Sequence, residues 1–315
     1  MCCFSAKTEV HGTTIFARMV KPGTQLLAYQ MKYTAATPTA MILPVPVALP
    51  AREDAVRFKS LKEYPTFFGD LEKGFPAPAP RLRGMKSAPE AQASTAAAAP
   101  LAVHDVGDFV ASFVPSIADF SRVDPRFAIK KDVWDKIPAY KDYGFAVFQL
   151  KELEGSPHPI AFELDTRLDG TIFFPTVHIH DGSVHEKDDF DHALYLQAPV
   201  ADRHAGSYEG PDAVDAATGF VRSKGPAKEF ADAARSQGML DPDLLVHKIT
   251  MRGSLPNRDV LRDLRPTAFR AGGCSRCDVA PGGSVDLGGA AIPVGLTMAG
   301  LGWIIRRRDA LRGRG

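Results

Sequence analysis

Cysteine is scarce in this 315-residue chain: Cys2 and Cys3 lie at one end, Cys274 and Cys277 near the other, and none between. A framework of core disulfides is therefore excluded. There is also no excess of either charge, with 38 Lys and Arg against 37 Asp and Glu. Without an overall basic field, nucleic acid is not an expected partner. The opening MCCFSAKTEVHGTTIF has no basic segment followed by an apolar run, so no export signal is expected from it. GxSxG, Walker and GxGxxG patterns are missing, and PGGSVDLGG has neither the lysine nor the strand context of a phosphate loop. HExxH is missing too, because His185-Glu186 is followed by histidine only at His192.

What is present suits a globular body. Hydrophobic residues make up 45% and charged residues 24%, enough apolar material for a sizeable core. From Thr13 to Val47 three strand-like runs, TTIFARMV, TQLLAYQMKYTA and AMILPVPV, are separated by Lys21-Pro22-Gly23 and Ala36-Thr37-Pro38, which predicts a β-meander. Gln30 and Lys32 alternate with Tyr29, Met31 and Tyr33, as on a sheet with one wet face. Pro44 and Pro46 cannot donate ladder hydrogen bonds and should lie at an edge or strand end. REDAVRFKSLKEYPTFFGDLEKGF suits helix, with Pro65 starting or breaking a turn.

Composition then changes. Pro76 to Pro100 is rich in Pro and Ala with almost nothing to bury, as in a linker or long surface loop. Beyond it LAVHDVGDFVASFVP is strand-like, SIADF and KKDVWDKI suit short helices, and GFAVFQLKEL, HPIAFELDT, TIFFPTVHIH and DFDHALYLQ suit strands. AKEFADAARSQGML fits an amphipathic helix ended by Gly238, LLVHKITM another strand, and NRDVLRDL a short helix. The expected class is α+β, β-rich, with mainly antiparallel sheets, a few short helices and a C-terminal apolar helix. The expected divisions are a β-meander plus helix over 1–75, the linker over 76–100, a second β-rich half over 101–270, and the tail over 271–315.

Four of the nine histidines fall between Thr176 and His192, in TVHIHDGSVHEKDDFDH. Asp181-Gly182 is a strong signal for a two-residue hairpin turn, since both central positions tolerate positive φ. That turn would set His178 opposite His185 and put His178, His180 and His185 on one face, with Val177, Ile179 and Val184 on the other. Three imidazoles within cross-strand reach are the minimum for a divalent metal such as zinc with an open fourth position. His192, flanked by Phe190, Leu194 and Leu196, is expected in the core or behind a ligand, and Asp189 or Asp191 could orient a liganding ring. The alternative is that the histidines are only the solvated face of an edge hairpin. His11, His104, His158, His204 and His247 are isolated.

Leu287 to Ile305, LGGAAIPVGLTMAGLGWII, carries no charge, and Arg306, Arg307 and Arg308 follow directly. Its length matches a helical crossing of a bilayer core about 30 Å thick at about 1.5 Å per residue, with Trp303 at an interface and the arginines on the cytoplasmic side. The alternative is a Gly-rich buried hairpin with a basic tail. The order of Cys274-Ser-Arg-Cys277, Gly/Pro spacer, apolar span and Arg cluster resembles bacterial C-terminal envelope-sorting tails, including the myxosortase type. That resemblance covers about the last forty residues and implies an exported body, with Cys274 or Cys277 marking a processing or anchoring point. Separately, CCF, TTIFAR, LLAYQMKY, AMILPVPV and LKEYPTFFGDLEKGF, with HPIAFELDT, FFPTVHIHDGSVH and FDHALYLQ, resemble a group of uncharacterised β-rich bacterial proteins. This second resemblance implies a fold and no catalytic residues.

The resulting expectation is a non-enzymatic, envelope-associated protein that binds a divalent metal through His178, His180 and His185 and meets the membrane through 287–305. The competing expectation is a metal-dependent hydrolase on the same histidines, which would need an acid or base facing the cluster.

Overall fold

Sixteen strands dominate the computed structural model, which describes residues 2–77, 103–129 and 131–265. In chain order they are β1 (Cys2–Phe4), β2 (Thr8–Lys21), β3 (Thr24–Ala35), β4 (Ala40–Val45), β5 (Val56–Ser60), β6 (His104–Val106), β7 (Phe109–Val114) and β8 (Gly144–Leu150). They continue with β9 (Glu154–Gly155), β10 (Ile160–Asp165), β11 (Thr171–Phe174), β12 (His178–Ile179), β13 (Lys187–Gln197), β14 (Val221–Pro226), β15 (Leu245–Pro256) and β16 (Val260–Asp263). The described α-helices are short: α1 (Phe67–Lys73), α2 (Lys131–Asp135) and α3 (Pro199–His204).

One sheet runs β12-β1-β4-β8-β7-β6, and a larger one runs β14-β15-β13-β2-β3-β10-β5 with β9 added to β3. Pairing is antiparallel except where β1 meets β12 and β2 meets β13. Chain segments before and after the Pro/Ala-rich stretch interleave in both sheets: β4 pairs with β8, β3 with β10, and β2 with β13. The segments 1–75 and 101–270 therefore share their sheets.

Side-chain alternation explains the layering. On β3, Leu27, Tyr29, Met31 and Tyr33 face a core shared with the six-stranded sheet through Ile42, Phe109, Phe145 and Phe148. Residues of opposite parity, Leu26 and Ala28, join Phe16 and Tyr195 against Phe67, Phe68 and Leu71 of α1. The larger sheet is thus covered on both faces over part of its area, and the wet positions expected at Gln30 and Lys32 are half-buried and exposed.

The expected meander breaks after β3. β4 leaves for the other sheet, where it lies between β1 and β8. All six of its residues are buried, so it needs cover on both faces and neighbours on both edges. Pro44 is tolerated because pairing to β1 reaches only Met41 and Ile42; the proline lies past the end of that partner while facing Phe145 of β8. Three helix expectations are corrected. Val56–Ser60 is a strand, and helix begins only after Pro65. AKEFADAARSQGML keeps a single 3-10 turn, Ala227–Glu229, followed by turns. NRDVLRDL yields β16, recruited by β11. For Val56–Ser60 and for β16 an available pairing edge, on β10 and on β11, outweighs a modest helix propensity.

The linker from 78 onward, Cys274, Cys277 and the apolar span 287–305 lie outside the described residues. Among the described residues, no helix is long and apolar enough to cross a membrane.

Candidate functional site

β12 has β1 on one edge, with Cys2 opposite His178 and Cys3 opposite Ile179. Its other edge is served by side chains of the loop after β15. The Asn257 side chain accepts from the His178 N–H at 2.7 Å and donates to the His178 carbonyl at 2.9 Å, as a neighbouring strand would. The same amide nitrogen reaches the His185 carbonyl at 3.1 Å, and the Asn257 N–H donates to the Glu186 carbonyl at 2.9 Å. One turn further on, Asp259 accepts from the Thr176 and Val177 N–H groups at 2.9 and 3.2 Å and from the Tyr140 hydroxyl at 2.7 Å.

These clamps correct the expected hairpin. The edge that would have paired with Ser183–Glu186 is already taken, so no ladder forms there among the described residues. Asp181-Gly182 still turns, with Gly182 at φ 81 and the Ser183 N–H donating to the Asp181 carboxylate at 2.8 Å. His185 does not join the other rings. It is exposed and pairs with Asp181 at 3.2 Å.

His192 takes the place expected for His185. It lies on β13 with Phe190, Leu194 and Leu196, as strand parity requires. Its Nε2 stands 3.0 Å from Nε2 of His178, and the two rings are 1% and 3% exposed. The His180 ring stacks on His178 with centroids 4.7 Å apart, Phe190 stacks at 4.4 Å, and Phe4 meets His180 edge-on at 5.9 Å. Carboxylates approach from outside: Asp188 lies 3.7 Å from His178 Nδ1, and Asp191 lies 3.7 Å from His192 Nδ1.

Desolvation sets the charge state of this group. Burial, reinforced by His192 and His180, pushes His178 down to about 2. Burial pushes His180 down to about 4 against the pull of Asp188, and it lowers His192 against the pull of Asp191. All three imidazoles are neutral at pH 7, the form that offers a lone pair. Asp191 is held far below the usual carboxylate range by the facing His192 ring and by the N–H groups of Gly12 and Thr13. That contact comes from an irregularity in β2, where the register with β3 shifts between His11 and Thr14 and Gly12 takes φ 62.

The histidines open into a cleft of about 360 Å³ whose wall also includes Glu9, His11, Thr13 and Asp189. Four buried side-chain atoms on this wall have no hydrogen-bond partner: Thr13 Oγ1, His178 Nδ1, His180 Nε2 and His192 Nδ1. Buried polar atoms are rarely left this way. As the side chains stand, no three His, Cys, Asp or Glu residues among those described converge in a metal-holding geometry. The stacked His178 and His180 rings, 23° apart in plane, explain part of this.

No protein-family model matches the chain. No curated protein matches it either. Among solved structures, that of baculovirus P35 is similar at 13% identity and a TM-score of 0.47, over 84% of this chain and 99% of that one. A mutated baculovirus P35 after caspase cleavage gives 13% identity and 0.44, over 81% and 100%. The caspase-8/P35 complex gives 12% and 0.39, over 80% and 95%. Likenesses this distant assign no function.

Elsewhere, His247 pairs with Asp202 at 2.7 Å, but its side chain is fully buried and closed to substrate. Sequence reasoning missed His192 as a cleft residue because its flanks read as core. The one available signal was its parity with Phe190, which places it on the face turned toward β12.

Proposed function

We propose that this protein is a non-enzymatic bacterial envelope module that takes up a divalent metal ion, of the zinc class, in the histidine cleft. The observation that carries this reading is the pair of buried, neutral imidazoles whose Nε2 atoms stand 3.0 Å apart, with a third ring stacked alongside. Nitrogen donors of this kind suit zinc and its neighbours. Carboxylates at the rim would neutralise a dication and draw it inward. A hydrolase on the same histidines needs a base of moderate strength facing the ion. Asp191 stands on the Nδ1 side of His192, away from the Nε2 pair, and already accepts from the Gly12 N–H, a placement that suits orienting a ligand ring.

The membrane association rests on Leu287 to Ile305 and the arginines after it, and the envelope location on the likeness of that tail to sorting signals. Elemental analysis of the purified chain, after stripping and reloading, tests the first part: about one equivalent of retained metal is expected, and none would end the metal reading. Cell fractionation with and without 287–315 tests the second. Loss of membrane association on deletion is expected; a soluble protein in both cases would defeat the envelope reading.

A further inference from the structure

We infer that the metal ligands are His178, His180 and His192, with Asp188 and Asp191 orienting two of the rings, and that His185 takes no part. This deepens the metal-binding reading above and rests on it.

A proton shared between the Nε2 atoms of His178 and His192 needs one ring as donor and the other as acceptor. In a pair of rings this deeply buried, a neutral donor carries its single proton on Nε2 and leaves its Nδ1 bare. Each Nδ1 faces a carboxylate at 3.7 Å, Asp188 for His178 and Asp191 for His192. Whichever ring donates, one bare nitrogen is set against a negative oxygen. The metal-free cluster is therefore one favourable contact short in either tautomer.

A cation between the two Nε2 atoms removes the conflict. Both rings then carry their proton on Nδ1 and both point it at a carboxylate, the usual arrangement behind a metal-bound histidine. No net proton is released; one proton moves from Nε2 to Nδ1 of the donor ring. The spacing is nearly right already, since two nitrogens on a tetrahedral ion with bonds of about 2.05 Å stand about 3.3 Å apart. His180, now stacked on His178, is the nearest further imidazole and has to leave that stack to bring a nitrogen to the ion. It is the least buried of the three rings, and its Nε2 has no partner to give up. The fourth position opens to the cleft beside Thr13 Oγ1, which is also unpartnered.

The test is calorimetric titration of Zn²⁺ into the chelator-stripped full chain, with Co²⁺ absorption reporting four-coordination. One equivalent is expected in the wild type, lost in His178→Ala and His192→Ala and kept in His185→Ala. Where the first two variants do not fold, Asp188→Asn and His180→Ala at half-buried positions decide, with a fall in affinity of about 10- to 100-fold expected for the carboxylate change. Binding that survives in His180→Ala and Asp188→Asn but disappears in His185→Ala overturns the ligand set while leaving the metal reading intact. A wild type that takes up neither ion overturns both.

Discussion

The Nε2 atoms of His178 and His192 meet at 3.0 Å although their strands belong to different sheets, β12 to the six-stranded and β13 to the eight-stranded one. The contact is therefore a side-chain tie between the two sheets, set beside the apolar core that they share.

That tie predicts a contrast between two histidines only seven positions apart. His192→Ala strands the His178 Nε2 in the core and removes a packed ring, and should lower stability by about 2–4 kcal/mol. His185→Ala, on an exposed side chain, should stay within about 0.5 kcal/mol of the wild type. Urea midpoints of the two variants measure the difference.

Asn257 is the side chain that replaces a strand. Asn257→Ala leaves the buried His178 N–H and carbonyl without partners, at a cost of about 1–3 kcal/mol for the buried donor alone. Amide hydrogen exchange at His178 should accelerate in this variant well beyond exchange at Ile15 in the centre of β2. Equal protection at both would remove the clamp from the account.

Asp259 gives a pH dependence with a definite sign. Burial raises its carboxyl above the ordinary value despite donation from Tyr140, Thr176 and Val177. The folded state therefore holds the proton more tightly than the unfolded chain. Stability from this group is present below the unfolded value near 4 and is lost as pH rises through the higher folded value. Asp259→Asn keeps an acceptor for the two backbone N–H groups and cannot ionise. Its urea midpoint relative to the wild type should climb between about pH 4 and pH 7, and a constant offset would contradict the assignment.

Gly12 sits in the left-handed region at φ 62, with nothing within 4 Å of where a Cβ would go. Gly12→Ala should then cost about 1 kcal/mol from backbone strain alone. Because the Gly12 N–H donates to Asp191, the same variant should weaken metal binding more than an equally destabilising change at Gly182, on the exposed turn.

The likeness between expectation and structure is closest where one strand's chemistry decides the outcome. The alternation of Gln30 and Lys32 with Tyr29, Met31 and Tyr33 appears in β3 as read, because the two faces of a strand are set by neighbours in the chain. The apolar run AMILPV, by contrast, says that it must be covered but not by which sheet, and it moved to the second one. NRDVLRDL had apolar spacing compatible with a helix, but the free edge of β11 made it a strand.

The histidine segment divides the same way. Local chemistry determined that His178 and Ile179 would be extended, that the chain would turn at Asp181-Gly182, and that His178 and His180 would share one face, since turn preference and side-chain parity need no distant partner. Which third histidine joins them was decided by Asn257 and Asp259, far along the chain, whose side chains occupy the edge that His185 needed. A backbone hydrogen-bonding edge can be satisfied once, and only the folded arrangement shows which donor and acceptor arrive to take it.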